Sequence, residues 1–175
     1  MSFFTDPLPQ PLDSFPSTTL QTLSGRIRPE WLDYNGHLNV AYYLLIFDRA
    51  TDCLHAMLGK TREYIERTQC STFALEMHLS YSRELRSDDP YVVRTRLVDA
   101  DHKRVHMLHS MHHAEEGWLA ATNESLSMHV DLVARRSAPW PAEIFERVHT
   151  LQQAHATLPA DEHIGRRVGI RRKST

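Results

Sequence analysis

The sequence predicts an α+β fold, in which an antiparallel sheet wraps its apolar face around one long helix. Apolar residues recur at three- and four-residue steps over residues 40–58, the spacing of an amphipathic helix. Four segments between residues 71 and 132 are alternating or β-rich, and residues 18–28 predict one strand before the helix. Because a sheet must bury its apolar face, the helix is its natural partner. The predicted buried side of this helix carries Val40, Tyr43, Leu44, Phe47, Ala50, Leu54, Met57 and Leu58.

The other elements follow in chain order. Residues 1–17 contain four prolines and predict an extended arm. The long helix should end near Gly59, and Thr61 is a suitable N-cap for a short helix or turn that follows it. The remaining elements of the single domain over residues 18–157 are strands at 71–82, 91–98, 104–113 and 118–132, which form an antiparallel meander or near-meander, and a helix at 142–156. Residues 158–175 are basic and predict a flexible tail.

The alternation also predicts which face of the sheet is apolar. The apolar set of the first strand after the helices is Phe73, Leu75, Met77, Leu79 and Tyr81. The opposite face should be solvated or meet a polar subunit interface, and its predicted members are Glu76, His78, Ser80, Arg94, His112, Asn123, Ser125 or Ser127.

Composition excludes several classes of protein. The chain has 175 residues and a formal net charge of −2, which suits one domain and argues against nucleic-acid binding by electrostatics. No apolar run is long enough to span a membrane, and the N-terminus lacks the pattern of a secretory signal. Cys53 and Cys70 are expected to be free thiols of a cytoplasmic protein. Neither a metal site nor a cofactor is expected.

The segment from Glu30 to Asn39 is the candidate functional site. Asp33 and Asn35 are residue types that cap helices, and Gly36 allows a close approach of the backbone. A carboxylate would then lie beside a helix N-terminus, whose N–H groups carry partial positive charge. One base or nucleophile next to an oxyanion site is enough for acyl transfer. The simpler alternative is that Asp33 or Asn35 only caps the helix.

The segment Asp33-Tyr34-Asn35-Gly36-His37-Leu38-Asn39, followed by Tyr43, resembles the signature of the 4-hydroxybenzoyl-CoA thioesterase-like branch of the hotdog superfamily. Within this branch the chain is similar to the thioesterases that accompany L-carnitine dehydrogenase, sometimes fused to it, and hydrolyse betainyl-CoA. That similarity rests on residues 28–37, 47–52, 76–81 and 101–106. The resemblance implies a hotdog fold and an acyl-CoA thioesterase. It also implies a homodimer or dimer of dimers with the site at the subunit interface, and a functional pairing with L-carnitine dehydrogenase.

The resemblance also implies roles for single residues. Asp33 would attack the thioester carbonyl or activate a water, and the backbone N–H groups of Gly36 and His37 would hold the carbonyl oxygen. Asn39 would orient the substrate or the water. The residues that would bind the substrate are Trp31, Tyr34 and Tyr43 as an aromatic cage for the trimethylammonium group, Lys103 and Arg104 for the phosphates, and Glu76 as a secondary carboxylate.

Four alternatives stay open at this stage. The substrate could be another short or aromatic acyl-CoA. A hotdog hydratase also uses an Asp and a His near the helix start, although its usual motif has a proline where Gly36 stands. A third alternative is a non-catalytic acyl-CoA binding module. The fourth is a metal-dependent enzyme built from His102, His106, His109, His112 and His113, although such histidines usually lie at the surface.

Overall fold

A six-stranded antiparallel sheet curves around one long helix in the computed structural model, which describes residues 7–170. The strands are β1 (Leu20–Arg26), β2 (Cys70–Tyr81), β3 (Pro90–Ala100), β4 (Arg104–His113), β5 (Leu119–Asp131) and β6 (Arg136–Ser137). The helices are α1 (Val40–Met57), α2 (Arg62–Thr68) and α3 (Ala142–Ala156). The predicted α+β class is therefore confirmed, and α3 has the predicted bounds. No helix among residues 7–170 has the length and apolar character needed to cross a bilayer.

The strand order is β1-β3-β4-β5-β2, with β6 paired to the other side of β5 at its end. The predicted meander holds for β3, β4 and β5, whereas β2 pairs with β5 and not with the strand that follows it in sequence. This difference arises because β3 pairs with β1 on one side and with β4 on the other, which leaves no edge of β3 for β2. The short strand β6 was not predicted. One long edge of β2 therefore has no neighbour within the described chain.

Strand β2 contains a register shift between Ala74 and Glu76, where it pairs with β5. The shift is a β-bulge, and it reverses the faces of the residues on its two sides. Phe73 therefore lies opposite Met128, on the same face as Glu76 and His78. The prediction that Phe73 shares a face with Met77, Leu79 and Tyr81 is wrong for this reason. Phe73 is 55% exposed.

Two apolar clusters fill the space between the sheet and the helices. One joins Phe47 and Trp31 to Val93, Met111 and Ala121, and the other joins Leu54 to Leu97, Met107 and residues of α3. The first turns of α1 depart from the predicted buried stripe, because Val40 is 62% and Leu44 39% exposed. Within residues 7–170, these two apolar side chains at the start of α1 are left uncovered.

A row of polar side chains crosses the sheet between the two apolar clusters. We call Thr22, Thr95, His109 and Asn123 the buried polar row, because each is at most 5% exposed. The hydroxyls of Thr22 and Thr95 lie 2.8 Å apart, and His109 bonds to Thr95 at 2.7 Å and to Thr51 of α1 at 3.0 Å. The row ends at Asn123, which lies opposite His109.

The prediction that Asn123, Ser125 or Ser127 lies on the outer face is wrong. All three are buried on the face that meets the helices, and the outward positions of β5 carry Glu124, Leu126 and Met128 instead. In this strand small polar residues point inward and larger residues, including the apolar Leu126 and Met128, point outward, so alternation alone assigned the wrong face.

The described parts of both terminal segments contact the domain. Leu12 N–H donates to Met57 O at 3.0 Å, and Leu12 and Phe15 pack against the second apolar cluster. At the other end, Gly165 N–H donates to the Glu124 carboxylate at 2.9 Å. Residues 1–6 and 171–175 lie outside the described residues. The extended arm and the flexible tail remain predictions.

Candidate active site

Asp33 organises a tight exposed turn that precedes α1. Its backbone N–H donates to His37 O at 2.9 Å, and its carbonyl accepts from Gly36 N–H at 3.0 Å. Its Oδ1 accepts from Asn35 N–H at 2.8 Å and from His37 N–H at 3.4 Å. Within residues 7–170, Oδ2 accepts no hydrogen bond. The carboxylate therefore holds the turn with one oxygen and has the other available.

The helix begins after this turn, and its N-cap is Asn39. The Asn39 Oδ1 accepts from Ala41 N–H at 3.0 Å, which satisfies one of the free donors at the helix start. The suggestion that Asp33 or Asn35 caps the long helix is therefore wrong. Gly36 and His37 lie before the helix, and both N–H groups donate to Asp33. Gly36 has φ +76°, a left-handed conformation that favours glycine at the tip of this turn.

Contacts with the segment after β2 fix the turn in place. Leu32 and Leu38 form a β-bridge, and Leu38 N–H donates to Leu85 O at 2.8 Å. In return, Leu85 N–H donates to the Tyr43 hydroxyl at 3.3 Å. Burial raises the pKa of the Tyr43 phenol, so the hydroxyl stays protonated. The ring of Tyr81, at the end of β2, packs edge-on against Tyr43 with centroids 5.3 Å apart.

The three predicted cage residues lie in three different environments. Trp31 is 2% exposed, stacks on Tyr42 with centroids 5.7 Å apart, and carries the Arg28 guanidinium 5.1 Å from its ring centroid. Tyr43 is buried, whereas Tyr34 is 97% exposed at the tip of the turn. The described chain does not bring these rings around a common space. Trp31 instead contributes to the apolar cluster below the turn.

The other predicted binding residues lie away from Asp33. Glu76 is on the outer face of β2, five residues before Tyr81, in a groove with His106 and Glu124. Arg104 is paired with Asp101, with its Nη2 2.6 Å from the carboxylate. Partial burial alone would raise the pKa of Asp101, but the hydrogen bonds from Arg104 and two backbone N–H groups lower it to about 2.

Lys103 is the predicted phosphate ligand that lies beside an open groove. Its Nζ is 3.4 Å from Ser137 Oγ, and Ser137 lines a groove with Arg135 and Arg136. Neither arginine was predicted, although two adjacent basic residues in a turn were a visible signal. Leu85 was not predicted either, because its role in fixing the turn depends on backbone atoms and has no side-chain signature.

The five histidines considered for metal binding are dispersed. His109 is buried between two threonines, and burial lowers its pKa to about 3. His106 bonds to Glu124 at 2.8 Å on the outer face, and His113 packs against Trp118. Within the part of the chain that the structure describes, no three His, Cys, Asp or Glu side chains are arranged to hold a metal ion.

Comparison with known proteins adds family evidence to this geometry. The family model of the thioesterase-like superfamily matches residues 27–148. A betainyl-CoA thioesterase from Pseudomonas aeruginosa is 40% identical over 154 residues, which cover 88% of this chain and 97% of that protein. A bifunctional L-carnitine dehydrogenase/betainyl-CoA thioesterase from Rhizobium meliloti is 31% identical over 156 residues, or 89% of this chain. The chain spans 31% of the length of that bifunctional protein.

Solved structures show the same architecture. A Staphylococcus aureus protein, solved in complex with CoA, superposes with a TM-score of 0.82 at 26% identity. The match covers 88% of this chain and 98% of that one. A 1,4-dihydroxy-2-naphthoyl-CoA thioesterase from Synechocystis has a TM-score of 0.67 at 15% identity, over 75% of this chain and 96% of that one, which shows the fold alone. The predicted hotdog fold is confirmed.

Proposed function

This chain belongs to the thioesterase-like superfamily, and from that membership we propose that it hydrolyses betainyl-CoA to betaine and CoA, with Asp33 as the catalytic carboxylate. The observation that carries the catalytic assignment is the state of Asp33. Its Oδ1 holds an exposed turn together, and its Oδ2 accepts no hydrogen bond within residues 7–170. The similarity to betainyl-CoA thioesterases supports the choice of acyl group.

The ionised carboxylate of Asp33 can start the reaction in two ways. As a nucleophile, Oδ2 attacks the acyl carbon and CoA leaves as the thiolate, after which water cleaves the mixed anhydride. As a general base, Oδ2 takes a proton from a water that attacks the same carbon. Both routes break the carbon–sulfur bond and give the thiol its proton, and both need the Oδ2 side of the turn to be open.

The His37 N–H group is the donor best placed to hold the carbonyl oxygen as negative charge develops on it. Its bond to Asp33 Oδ1 is long, at 3.4 Å, so a substrate oxygen can replace that acceptor at little cost. The Gly36 N–H bond to Asp33 O is 3.0 Å and closes the turn, so using this donor would require the turn to open. Asn39 then acts by fixing the direction of α1 through its cap.

A second copy of the chain is proposed to complete the site. Strand β2 is an edge strand, and Phe73, Leu75, Met77 and Tyr81 are 37% to 55% exposed along it. A long edge with apolar side chains is a ready template for pairing with another strand. The second copy is also proposed to cover Val40 and Leu44 at the start of α1, which are the exposed part of the predicted buried stripe.

Recognition of a quaternary ammonium group is proposed to need that second copy. Tyr34 is the one predicted cage residue that is free to reach across an interface, because it is 97% exposed at the tip of the turn. Cation–aromatic contacts contribute about 0.5 to 2 kcal/mol per ring. The same substrate supports a cytoplasmic location and a pairing with L-carnitine dehydrogenase, the activity with which relatives are fused.

Thiol release from matched substrates tests the proposal. Betainyl-CoA is compared with 3,3-dimethylbutyryl-CoA, which has the same shape but carries no charge, and with benzoyl-CoA. We expect kcat/KM for betainyl-CoA to be about tenfold or more above that for the neutral isostere. Equal values would exclude recognition of the cation, and a preference for benzoyl-CoA would indicate an aromatic acyl substrate. Hydration of crotonyl-CoA without thiol release would identify a hydratase, and CoA binding without turnover would identify a binding module.

A further inference from the structure

We propose that the groove between β2 and the β5–β6 hairpin binds the pantetheine arm and the phosphates of the CoA substrate. The inference rests on the proposed function, because it assigns a place to the leaving group of the same reaction. The groove residues are far from Asp33 along the chain, and they give Lys103 a role together with two arginines that were not predicted from the sequence.

The groove has an apolar floor and a basic rim. Its volume is about 410 Å³. The lining residues are Phe73, Met128, Val130, Asp131, Leu132, Arg135, Arg136 and Ser137. Phe73 is 55% and Leu132 40% exposed, and Val133, next to it in the turn, is 75% exposed. Exposed apolar side chains grouped in a concave surface are typical of a ligand site rather than of ordinary surface.

Within the described residues, the two arginines of the basic rim are not paired with a carboxylate. Among residues 7–170, Arg135 and Arg136 form no salt bridge, and the Asp131 carboxylate in the same turn accepts from the backbone N–H groups of Val133 and Ala134. Lys103 adds a third cation, because its Nζ contacts Ser137 Oγ on the groove wall at 3.4 Å. Guanidinium groups bind phosphate oxygens through paired N–H donors, so this rim suits a ligand with several phosphates.

The hairpin that presents the arginines is fixed by local hydrogen bonds. Asp131 Oδ1 accepts from Val133 N–H at 2.9 Å and from Ala134 N–H at 2.8 Å. Leu132 N–H donates to Gln69 O at 2.9 Å, which ties the turn to the start of β2. Arg135 has φ +53°, so the chain turns there and continues into β6 with Arg136. A preformed rim loses less conformational entropy when it binds a ligand.

Symmetry connects the groove to the catalytic turn. Phe73 and Tyr81 are separated by eight positions along β2, about 26 Å at 3.3 Å per residue, so the groove does not reach Asp33 of its own chain. When two β2 strands pair antiparallel about their midpoints, the start of one lies beside the end of the other. The groove of each copy then lies next to the end of its neighbour's β2, where Tyr81 packs against Tyr43 of α1 and Tyr43 accepts a hydrogen bond from Leu85 beside the turn. Phe73 lies on the outer face of the sheet and Tyr81 on the face toward α1, so a pantetheine arm that joins the two places passes around the ends of the paired strands.

Kinetics with full and truncated thioesters test this assignment. The variant Arg135→Ala/Arg136→Ala should raise KM for the acyl-CoA about tenfold or more and leave kcat nearly unchanged, because it removes binding that is equal in the ground and transition states. The corresponding acyl-pantetheine ester lacks the nucleotide and its phosphates, so its KM should be unchanged. The control variant Arg26→Ala/Arg94→Ala removes the same charge from exposed sites on other strands, and its KM should equal that of the wild-type protein.

The apolar floor is tested with Phe73→Ser, which should raise KM for both esters. Light scattering on each variant checks that the assembly is intact, and calorimetry with free CoA gives affinity without turnover. Unchanged CoA affinity and KM in Arg135→Ala/Arg136→Ala would overturn the groove assignment while leaving the thioesterase function in place. A wild-type protein that neither binds CoA nor releases thiol would overturn both. An equal rise in KM for the two esters in the double-arginine variant would overturn the assignment of the phosphates to these arginines.

Discussion

Two regions of this protein concentrate polar side chains. One region is exposed to solvent and the other is buried. The turn from Asp33 to His37 is exposed, and its backbone donors and the Asp33 carboxylate satisfy one another at the surface. The buried polar row lies beneath α1, where His109 is held by two threonines and Asn123 has neither amide atom hydrogen-bonded within residues 7–170. Polar residues in the turn are available to a substrate, whereas those in the row can act only on stability.

The largest expected effect belongs to Asp33. Asp33→Asn keeps an oxygen that can accept from Asn35 and His37, so the turn should persist while the charge is lost. We expect kcat to fall by about a hundredfold or more, equivalent to about 2.7 kcal/mol of activation free energy, with an unchanged melting temperature. Steady-state thiol release and thermal denaturation measure the two quantities. Turnover near that of the wild-type protein would exclude Asp33 from catalysis.

A second prediction concerns the acid sensitivity caused by His109. Its pKa is about 3 in the folded state and 6.5 when unperturbed, so the unfolded chain binds more protons between these values and stability falls as pH falls below 6.5. Between pH 7 and 4.5 this group should cost about 2 to 3 kcal/mol of unfolding free energy. His109→Phe should remove that part of the loss. Urea unfolding at both pH values tests this, and an equal acid dependence in the two proteins would contradict it.

A third, smaller effect is expected at Asn39, which links the turn to the helix. Asn39→Ala removes the cap on Ala41 N–H and should lower the unfolding free energy by about 1 kcal/mol. Asn39→Asp keeps an oxygen at this position and serves as the matched control. Urea unfolding at pH 7 measures both variants. The fall in kcat is converted to activation free energy and compared with the loss of unfolding free energy. If the first is far larger than the second in Asn39→Ala, and not in Asn39→Asp, Asn39 also positions the substrate.

The smallest effect should have the opposite sign. Asn123 is fully buried, and both of its amide atoms lack partners within residues 7–170. Asn123→Leu keeps the number and branching of the side-chain heavy atoms and removes this desolvation cost, so the unfolding free energy should stay equal or rise by up to about 1 kcal/mol. The unfolding free energy of Asn35→Leu, the same change in the exposed turn, is measured for comparison. A strongly destabilised Asn123→Leu would show that the amide makes bonds in solution.

The helices were predictable because their signals are local. Thr61 caps α2 through Tyr64 N–H as expected, and the apolar spacing of Ala142–Ala156 located α3. The sheet faces were less predictable, because a single bulge beside Ala74 reverses Phe73 without any mark in the sequence. In β5 the inward positions carry small polar residues, so hydrophobicity pointed to the wrong face.

The proposed catalytic turn was predictable because its residues lie together in sequence, and Asp33 needed no long-range contact to be noticed. The environment of the predicted cage residues was harder to predict, because Trp31 and Tyr43 are as suitable for a core as for a ligand site. Their burial follows from contacts with Arg28, Tyr42 and Leu85 that appear only in three dimensions. The groove beside Arg135 could not be foreseen, because two strands and a hairpin build it together.

The strand order has a consequence for biosynthesis. Strand β1 pairs with β3, and β2 pairs with β5, so both leave the ribosome well before their partners exist. Until residue 131 has been translated, β2 lacks its partner strand β5. Its backbone edges and its apolar side chains are then exposed. The nascent chain is therefore vulnerable to aggregation from the translation of β2 until the translation of β5. We expect slower translation before β5 to lengthen its dependence on chaperones.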